Sequence, residues 1–148
     1  MARVVIEFPS EFPFSTELDV RIEHINRGYH LGNDSLIALL NEARLRYLPE
    51  QINPLGESQI WMVNADLAVI YKAEAFHGEI LKVEVAAAQF HKCGFDLLFR
   101  VTEKTSSREV AHAKMAMLMV DAKARKLVQP EGGVEAYLAR LGKADPSQ

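Results

Sequence analysis

The sequence predicts an α+β fold in which a curved, five-stranded antiparallel sheet wraps around one long central helix. The helix is predicted because apolar side chains cover well over half of the circumference of Leu36–Leu48, and such a helix must be enclosed by other elements. The sheet is predicted because five other segments alternate apolar and polar residues with a period of two. That alternation is typical of strands with one buried face.

The first part of the chain contains one strand, one loop and the helix. Apolar or β-branched residues at every second position predict the strand at Phe14–Ile22. A polar loop over residues 26–32 follows. The side-chain oxygen of Asn33 or Asp34 can accept a hydrogen bond from the first free N–H groups of a helix, so one of these residues is the predicted N-cap. The helix should end near Leu48, because the residue before Pro49 disfavours helical conformation.

The second part predicts four consecutive strands and a short amphipathic helix at Val134–Leu141. Alternate methionines in the last strand indicate a packed sheet face. A sheet of this kind leaves an unpaired edge and an apolar rim, so we expect a homodimer or a dimer of dimers. After a loop at Pro54–Gly56, the strands are predicted at Gln59–Lys72, Gly78–Ala87, Phe95–Glu103 and Glu109–Asp121.

The composition predicts one domain over residues 1–148, with its core at about 14–128. With 49% hydrophobic and 25% charged residues it is typical of a globular protein, and a net charge of −3 gives no general attraction to nucleic acid. The single cysteine, Cys93, cannot form an internal disulfide, which fits a reducing compartment. No apolar run approaches the roughly 20 residues that span a bilayer. We therefore expect a cytoplasmic location, with no membrane insertion and no nucleic-acid partner.

Four motifs occur here in the order and spacing of a known family. That family has a loop resembling Asp-x-Asp-x-x-Gly-His-Val-Asn-Asn and a helix with Glu-x-Ala-Arg or Glu-Ala-Arg, where this chain has His24–Asn33 and Glu42–Arg44. Its strand ending in Tyr and followed by Gly-Asp is similar to Tyr71–Glu79, and its final strand is similar to Ala111–Asp121. By these motifs the segment from Phe14 to Val128 resembles the hotdog-fold thioesterases, in their 4-hydroxybenzoyl-CoA thioesterase-like and acyl-CoA thioesterase branch.

The resemblance implies a hotdog fold and hydrolysis of an acyl- or aroyl-CoA thioester to free acid and CoA. It implies no metal or redox cofactor, since coenzyme A is part of the substrate, and a site shared between the subunits of a homodimer. In the 4-hydroxybenzoyl-CoA type the second loop aspartate is the catalytic carboxylate, whereas Asn26 stands at that position here and His24 at the first. An amide cannot act as a nucleophile or strong base. Either a helix carboxylate replaces it, as in another branch, or the activity is altered or lost.

Glu42 is the first candidate for this carboxylate. Three of its four neighbours one turn away on the helix are apolar, and a carboxylate in apolar surroundings is a candidate base or nucleophile. The alternative is a structural ion pair with Arg46. Asp34 is the rival, although a role as N-cap already explains it. Because Asp34 and Glu42 lie about 12 Å apart along a helix, Glu42 would have to act on the helix N-terminal amides of a partner subunit.

Other residues are predicted to bind and orient the substrate. Backbone N–H groups of Gly32 and Asn33 would polarise the thioester carbonyl, although Gly32 also suits a loop through its permissive backbone. Asn26 and His30 would orient the reacting groups or, alternatively, bind local backbone. Asp34 and Tyr71 complete the predicted substrate-binding set. Candidates for binding CoA phosphates, which as surface cations could equally be only solvated, are Lys72, Lys92 and Arg108.

Two other functions remain open from the sequence. A hotdog hydratase or dehydratase acting on enoyl-CoA could use His30 and Glu42 as acid and base. A non-catalytic module that binds acyl-CoA or only dimerises is favoured by Asn26, because the family's loop carboxylate is missing there.

Overall fold

Five antiparallel strands form one sheet in the order β1-β3-β4-β5-β2, and two helices complete the α+β fold. The computed structural model describes residues 3–48 and 60–143. The strands β2 to β5 follow one another along the chain, and β1 and β2 form the two edges of the sheet. The elements are β1 (Phe14–Asp19), α1 (Asn33–Tyr47), β2 (Ile60–Tyr71), β3 (Ile80–His91), β4 (Gly94–Glu103), β5 (Glu109–Asp121) and α2 (Val134–Lys143).

The predicted strands are confirmed with small shifts at their ends. β1 stops at Asp19 rather than Ile22, because residues 22–24 form a turn of 3-10 helix. β3 starts at Ile80 rather than Gly78, because the chain turns at Gly78 with a φ of 88°, a conformation that favours glycine. The predicted loop at Pro54–Gly56 and the helix stop at Pro49 lie outside the described residues.

The core lies between the inner face of the sheet and α1. The inner face of β5 carries Met115, Met117 and Met119, all fully buried, which confirms the predicted packed methionine face. Their neighbours on β4 include Phe95 and Phe99, which are also fully buried. Side chains of α1 join the same cluster, and so do three from α2, Val134, Leu138 and Leu141.

The helix α1 ends within one residue of the predicted stop near Leu48, but it is more exposed than the sequence predicts. Its 15 residues span about 22 Å, so the expected long central helix is not confirmed. Only one side is fully buried, through Leu36, Leu39, Leu40 and Ala43. The opposite side remains exposed at Asp34, Ala38 and Glu42, because the sheet covers a single face of the helix. Within the single protomer, the sheet therefore encloses only one side of a helix that the sequence predicts to be enclosed by other elements.

The predicted N-cap is also wrong by one or two residues. Gly32 is the N-cap, with φ −70° and ψ 152°, and its carbonyl accepts the first helical hydrogen bond from Leu36 at 3.0 Å. Two backbone bonds hold the chain extended up to this point, from Leu31 N–H to the Ala75 carbonyl (2.8 Å) and from Gly32 N–H to the His24 carbonyl (2.9 Å). Neither helix in the described part of the chain has the length and apolar character that crossing a membrane requires.

We expect Leu40→Ala to lower the free energy of unfolding by about 2–5 kcal/mol, because it leaves a cavity between α1 and the sheet. Leu40 is fully buried. Urea denaturation followed by circular dichroism measures the change. The matched control is Leu127→Ala, at a position that is 58% exposed, where we expect a change of about 0.5 kcal/mol or less. Equal losses in both variants would contradict the proposed core.

Candidate active site

A pocket of about 270 Å³ opens between the N-terminus of α1 and the end of β2. Its floor is apolar and comes from Leu31, Leu36, Ala75 and Val110, which are all buried. Its rim carries polar groups of different kinds: an imidazole, an amide, a phenol, an ammonium and a carboxylate. The rim residues are His30, Asn33, Tyr71, Lys72, Ala73 and Glu74.

The loop before α1 is closed by hydrogen bonds to both the side chain and the backbone carbonyl of Asn26. The side-chain oxygen of Asn26 accepts a hydrogen bond from Gly28 N–H at 2.9 Å, and the Asn26 carbonyl accepts one from Tyr29 N–H at 3.1 Å. Tyr29 has a φ of 65°, a left-handed conformation that is uncommon for a residue other than glycine and that closes this turn. The Asn26 side chain therefore shapes the loop, and Asn26 is not among the residues that line the pocket.

The loop is tied to the segment that follows β2. The bond from Leu31 N–H to the Ala75 carbonyl joins the two segments directly. Backbone N–H groups of Lys72 and Ala73 both donate to the Val110 carbonyl, at 2.9 and 3.3 Å, which holds that segment against the start of β5. These bonds place His30 and Glu74 at one rim without any contribution from their own side chains.

The N-terminus of α1 provides the amide donors of the site. The N–H of Gly32 already donates to the His24 carbonyl, so its predicted role as a donor to the thioester is corrected. Among the described residues, no acceptor contacts the N–H groups of Asn33, Asp34 or Ser35. Asn33 lines the pocket, and a helix N-terminus is favourable for negative charge. The amide of Asn33 is therefore the available donor nearest to a ligand in this pocket.

Tyr71 stands beside this helix end. Its hydroxyl lies 3.5 Å from the Asn33 carbonyl, to which it donates a long hydrogen bond. Burial and the negative charge of Asp34 raise the pKa of Tyr71 above its ordinary value. The phenol therefore stays protonated at neutral pH and remains a hydrogen-bond donor at the rim.

Glu42 lies far from this pocket within one protomer. It is nine residues after Asn33, which places it about 14 Å further along α1 and on the opposite side of the helix. Its side chain is 50% exposed and pairs with Arg46 at 3.1 Å, as the alternative interpretation of this residue predicted. Arg46 also donates to Thr16 and to the Glu17 carbonyl on β1, so Glu42 lies on the flank of α1 that faces β1.

Glu74 is the rim carboxylate that the sequence interpretation missed. Its Oε1 lies 3.6 Å from Nε2 of His30, and both side chains line the pocket. The signal was present in the sequence, because Glu74 falls inside the Tyr71–Glu79 motif, three residues after the strand-ending tyrosine. The motif itself assigns it no role.

The three candidate CoA-binding cations lie in different places. Lys72 is exposed at the pocket rim. Lys92 lies in the hairpin between β3 and β4, about 23 Å along β4 from the end of the sheet that carries the pocket. Arg108 is near the pocket end but is bound by Glu79 at 2.6 Å, a hydrogen bond that raises the pKa of Arg108. One protomer therefore brings only Lys72 to the pocket as a free cation among these three.

The sequence matches the family model for the thioesterase-like superfamily over residues 20–138. No curated protein sequence matches it. Similar solved structures include the probable thioesterase YbaW from Escherichia coli, with 21% identity, a TM-score of 0.72, and coverage of 86% of this chain and 94% of that one.

Two further similar structures are 1,4-dihydroxy-2-naphthoyl-CoA thioesterases. The Synechocystis protein has 15% identity and a TM-score of 0.74, with 91% of this chain and 98% of that chain covered. The Staphylococcus aureus protein has 14% identity and a TM-score of 0.74, with 87% and 88% covered. At these identities the likeness shows the fold, which confirms the hotdog architecture expected from the motifs.

We expect Asp34→Asn to lower the pH at which Tyr71 ionises, because the neutral amide no longer opposes a phenolate charge. Ultraviolet difference spectra of each protein against its Tyr71→Phe counterpart isolate this one phenol. The control Asp96→Asn removes a carboxylate from the outer face of β4 and should leave the ionisation unchanged. An unchanged titration in Asp34→Asn would contradict the described proximity of Asp34 to Tyr71.

Proposed function

This chain belongs to the thioesterase-like superfamily, and from that premise we propose that it hydrolyses the thioester bond of an acyl-CoA or aroyl-CoA. The observation that supports this most is the juxtaposition, in one pocket, of an apolar floor and an unpaired helix amide. The floor suits an acyl chain or ring, and the amide suits a carbonyl oxygen that becomes negative. The similar naphthoyl-CoA thioesterases support including aromatic acyl groups among the substrates.

In the proposed mechanism, the acyl group lies against Leu36 and Val110 and its carbonyl oxygen points at the Asn33 amide. This arrangement holds the thioester in place and stabilises the oxyanion that forms when water attacks. His30 and Tyr71 line the same rim and orient the reacting groups. Lys72 is positioned to meet a phosphate of the CoA portion outside the pocket. No cofactor is required beyond the CoA that the substrate carries.

The proposed assembly is a homodimer formed through the edge strand β2. Apolar side chains on β2 remain exposed in the single protomer, to 37% at Trp61, 39% at Val63 and 39% at Leu67. Among the described strands, β2 pairs only with β5, so its other side is an edge of the sheet at which a further strand can pair. Pairing with a second copy would satisfy both the backbone and the apolar surface.

The sequence also predicts that Glu42 enters the site from a partner subunit. Arg44 donates to Asn64 on β2 at 2.6 Å, which marks the flank of α1 that faces the exposed edge. Glu42 lies on the other flank, towards β1. Delivery of Glu42 to a partner's pocket therefore requires a dimer in which the outer faces of two α1 helices meet.

The proposal is tested with a panel of aliphatic and aromatic acyl-CoAs and a thiol reagent that detects free CoA. We expect thiol release by the wild-type protein, and at least a tenfold increase in KM for Ala73→Phe, because the larger side chain occupies the pocket. The matched control Ala124→Phe lies in an exposed turn and should leave KM unchanged.

The outcomes of that panel also separate the alternatives. Hydration of an enoyl-CoA without thiol release would assign a hydratase, and binding of acyl-CoA without turnover would assign a non-catalytic module. Equal activity in Ala73→Phe and the wild type would place the reaction somewhere other than this pocket.

We expect light scattering to give twice the 16.6 kDa protomer mass, or a multiple of it, for the wild-type protein. Leu67→Lys should shift the mass towards one protomer, because it places a charge within the apolar edge of β2. The control Val5→Lys changes a side chain that is 78% exposed in the N-terminal segment and should leave the mass unchanged. A wild-type monomer would contradict the proposed dimer.

A further inference from the structure

Glu74 is the single carboxylate among the described residues that line the pocket. Backbone hydrogen bonds of its two neighbours set its position. The Ala75 carbonyl accepts a hydrogen bond from Leu31 N–H, and Ala73 N–H donates to the Val110 carbonyl. The side chain itself is 62% exposed at the rim, and its Oε1 lies 3.6 Å from Nε2 of His30. A carboxylate that is both inside a binding site and accessible to water is placed to take a proton from that water.

The other carboxylates considered do not meet this requirement within one protomer. Glu42 points to the β1 flank of α1 and is bound by Arg46. Asp34 lies near Tyr71, but it is not among the residues that line the pocket. Asn26 stands at the loop position where the family that this chain resembles has an aspartate. Its side chain is an amide, and the amide oxygen accepts a hydrogen bond from Gly28 N–H.

We propose that Glu74 is the catalytic general base of this site and that His30 is its positioning residue. This role rests on the proposed thioester hydrolysis. Glu74 would provide the carboxylate that the loop lacks. It needs no residue from a partner subunit. The carboxylate function would thereby have moved from the loop before α1 to the segment after β2, on the other side of the same pocket.

In the proposed reaction, water attacks the thioester and CoA leaves as a thiol. The water oxygen forms a bond to the thioester carbonyl carbon while Glu74 accepts one water proton, and the carbonyl π electrons move to the oxygen that faces the Asn33 amide. The tetrahedral intermediate then collapses, the C–S bond breaks, and the sulfur leaves with the bonding electrons. The proton on Glu74 passes to this thiolate. The products are the free acid and the CoA thiol, and Glu74 is again a carboxylate.

His30 orients the Glu74 carboxylate in this scheme. Nε2 of His30 lies 3.6 Å from Oε1 of Glu74, and a small side-chain movement on substrate binding would bring the Nε2–H tautomer within hydrogen-bond distance of the carboxylate. The other ring nitrogen, Nδ1, lies 3.2 Å from the Leu31 carbonyl, so the ring lies between two acceptors, and its neutral form donates to one of them at a time. Gly28 leaves the space that the imidazole occupies, because a Cβ there would lie 2.9 Å from Nε2.

The decisive experiment measures kcat and KM for CoA release by Glu74→Gln, on the best substrate of the panel. The substitution keeps the shape of the side chain and removes its ability to accept a proton as a carboxylate does. We expect kcat to fall at least 100-fold with KM changed less than threefold. The matched control Glu23→Gln alters a carboxylate of similar exposure, 59%, that lies outside the pocket, and should retain wild-type values.

Three further variants complete the test. His30→Gln should lower kcat, and its addition to Glu74→Gln should cost nothing more, because a positioning residue acts through the group it positions. Wild-type activity in Glu74→Gln would overturn the inference while leaving thioester hydrolysis intact, and loss of activity in Glu42→Gln instead would assign the carboxylate to the helix. No CoA release by the wild type from any substrate would overturn the proposed function and, with it, this inference.

Discussion

The packing of one face of α1 against the inner face of the sheet is the constraint on which the rest of this structure depends. Leu36, Leu40 and Ala43 are buried there, in the same core cluster as the methionines of β5. This burial sets the rotation of the helix, and the rotation decides which groups at its N-terminus meet the end of β2. The pocket is therefore a consequence of core packing at one end of the helix.

Helical geometry separates the groups that the motifs suggest should act together. Residues nine apart on an α-helix lie on opposite sides, so Asn33 faces the pocket while Glu42 faces β1. The resemblance draws attention to Glu42 because a helix carboxylate serves another branch of the family. The fold brings a different carboxylate, Glu74, to the same pocket as the Asn33 amide. The family match and the pocket thus support the proposed reaction and its location, whereas the approach of His30 to Glu74 supports the proposed base.

Much of the fold could be predicted because its signals are local. Period-two alternation located β2, β4 and β5 to within one residue, since a one-sided strand imposes that pattern directly. The start of α1 was less predictable, because backbone bonds from distant segments hold Gly32 in an extended conformation. The degree of enclosure of α1 could not be predicted either, since apolar side chains such as Ile37 and Leu45 stay half-buried in the protomer.

The sequence by itself determined the fold class, the family and four of the residues that line the pocket, His30, Asn33, Tyr71 and Lys72. These follow from short-range patterns and from motifs whose spacing is written along the chain. Only the tertiary structure decided that the Gly32 amide is already occupied, that Lys92 lies at the far end of the sheet, and that Glu74 meets His30. Such facts depend on hydrogen bonds and strand pairings that linear spacing does not record, and those that place Lys92 and Glu74 join segments tens of residues apart.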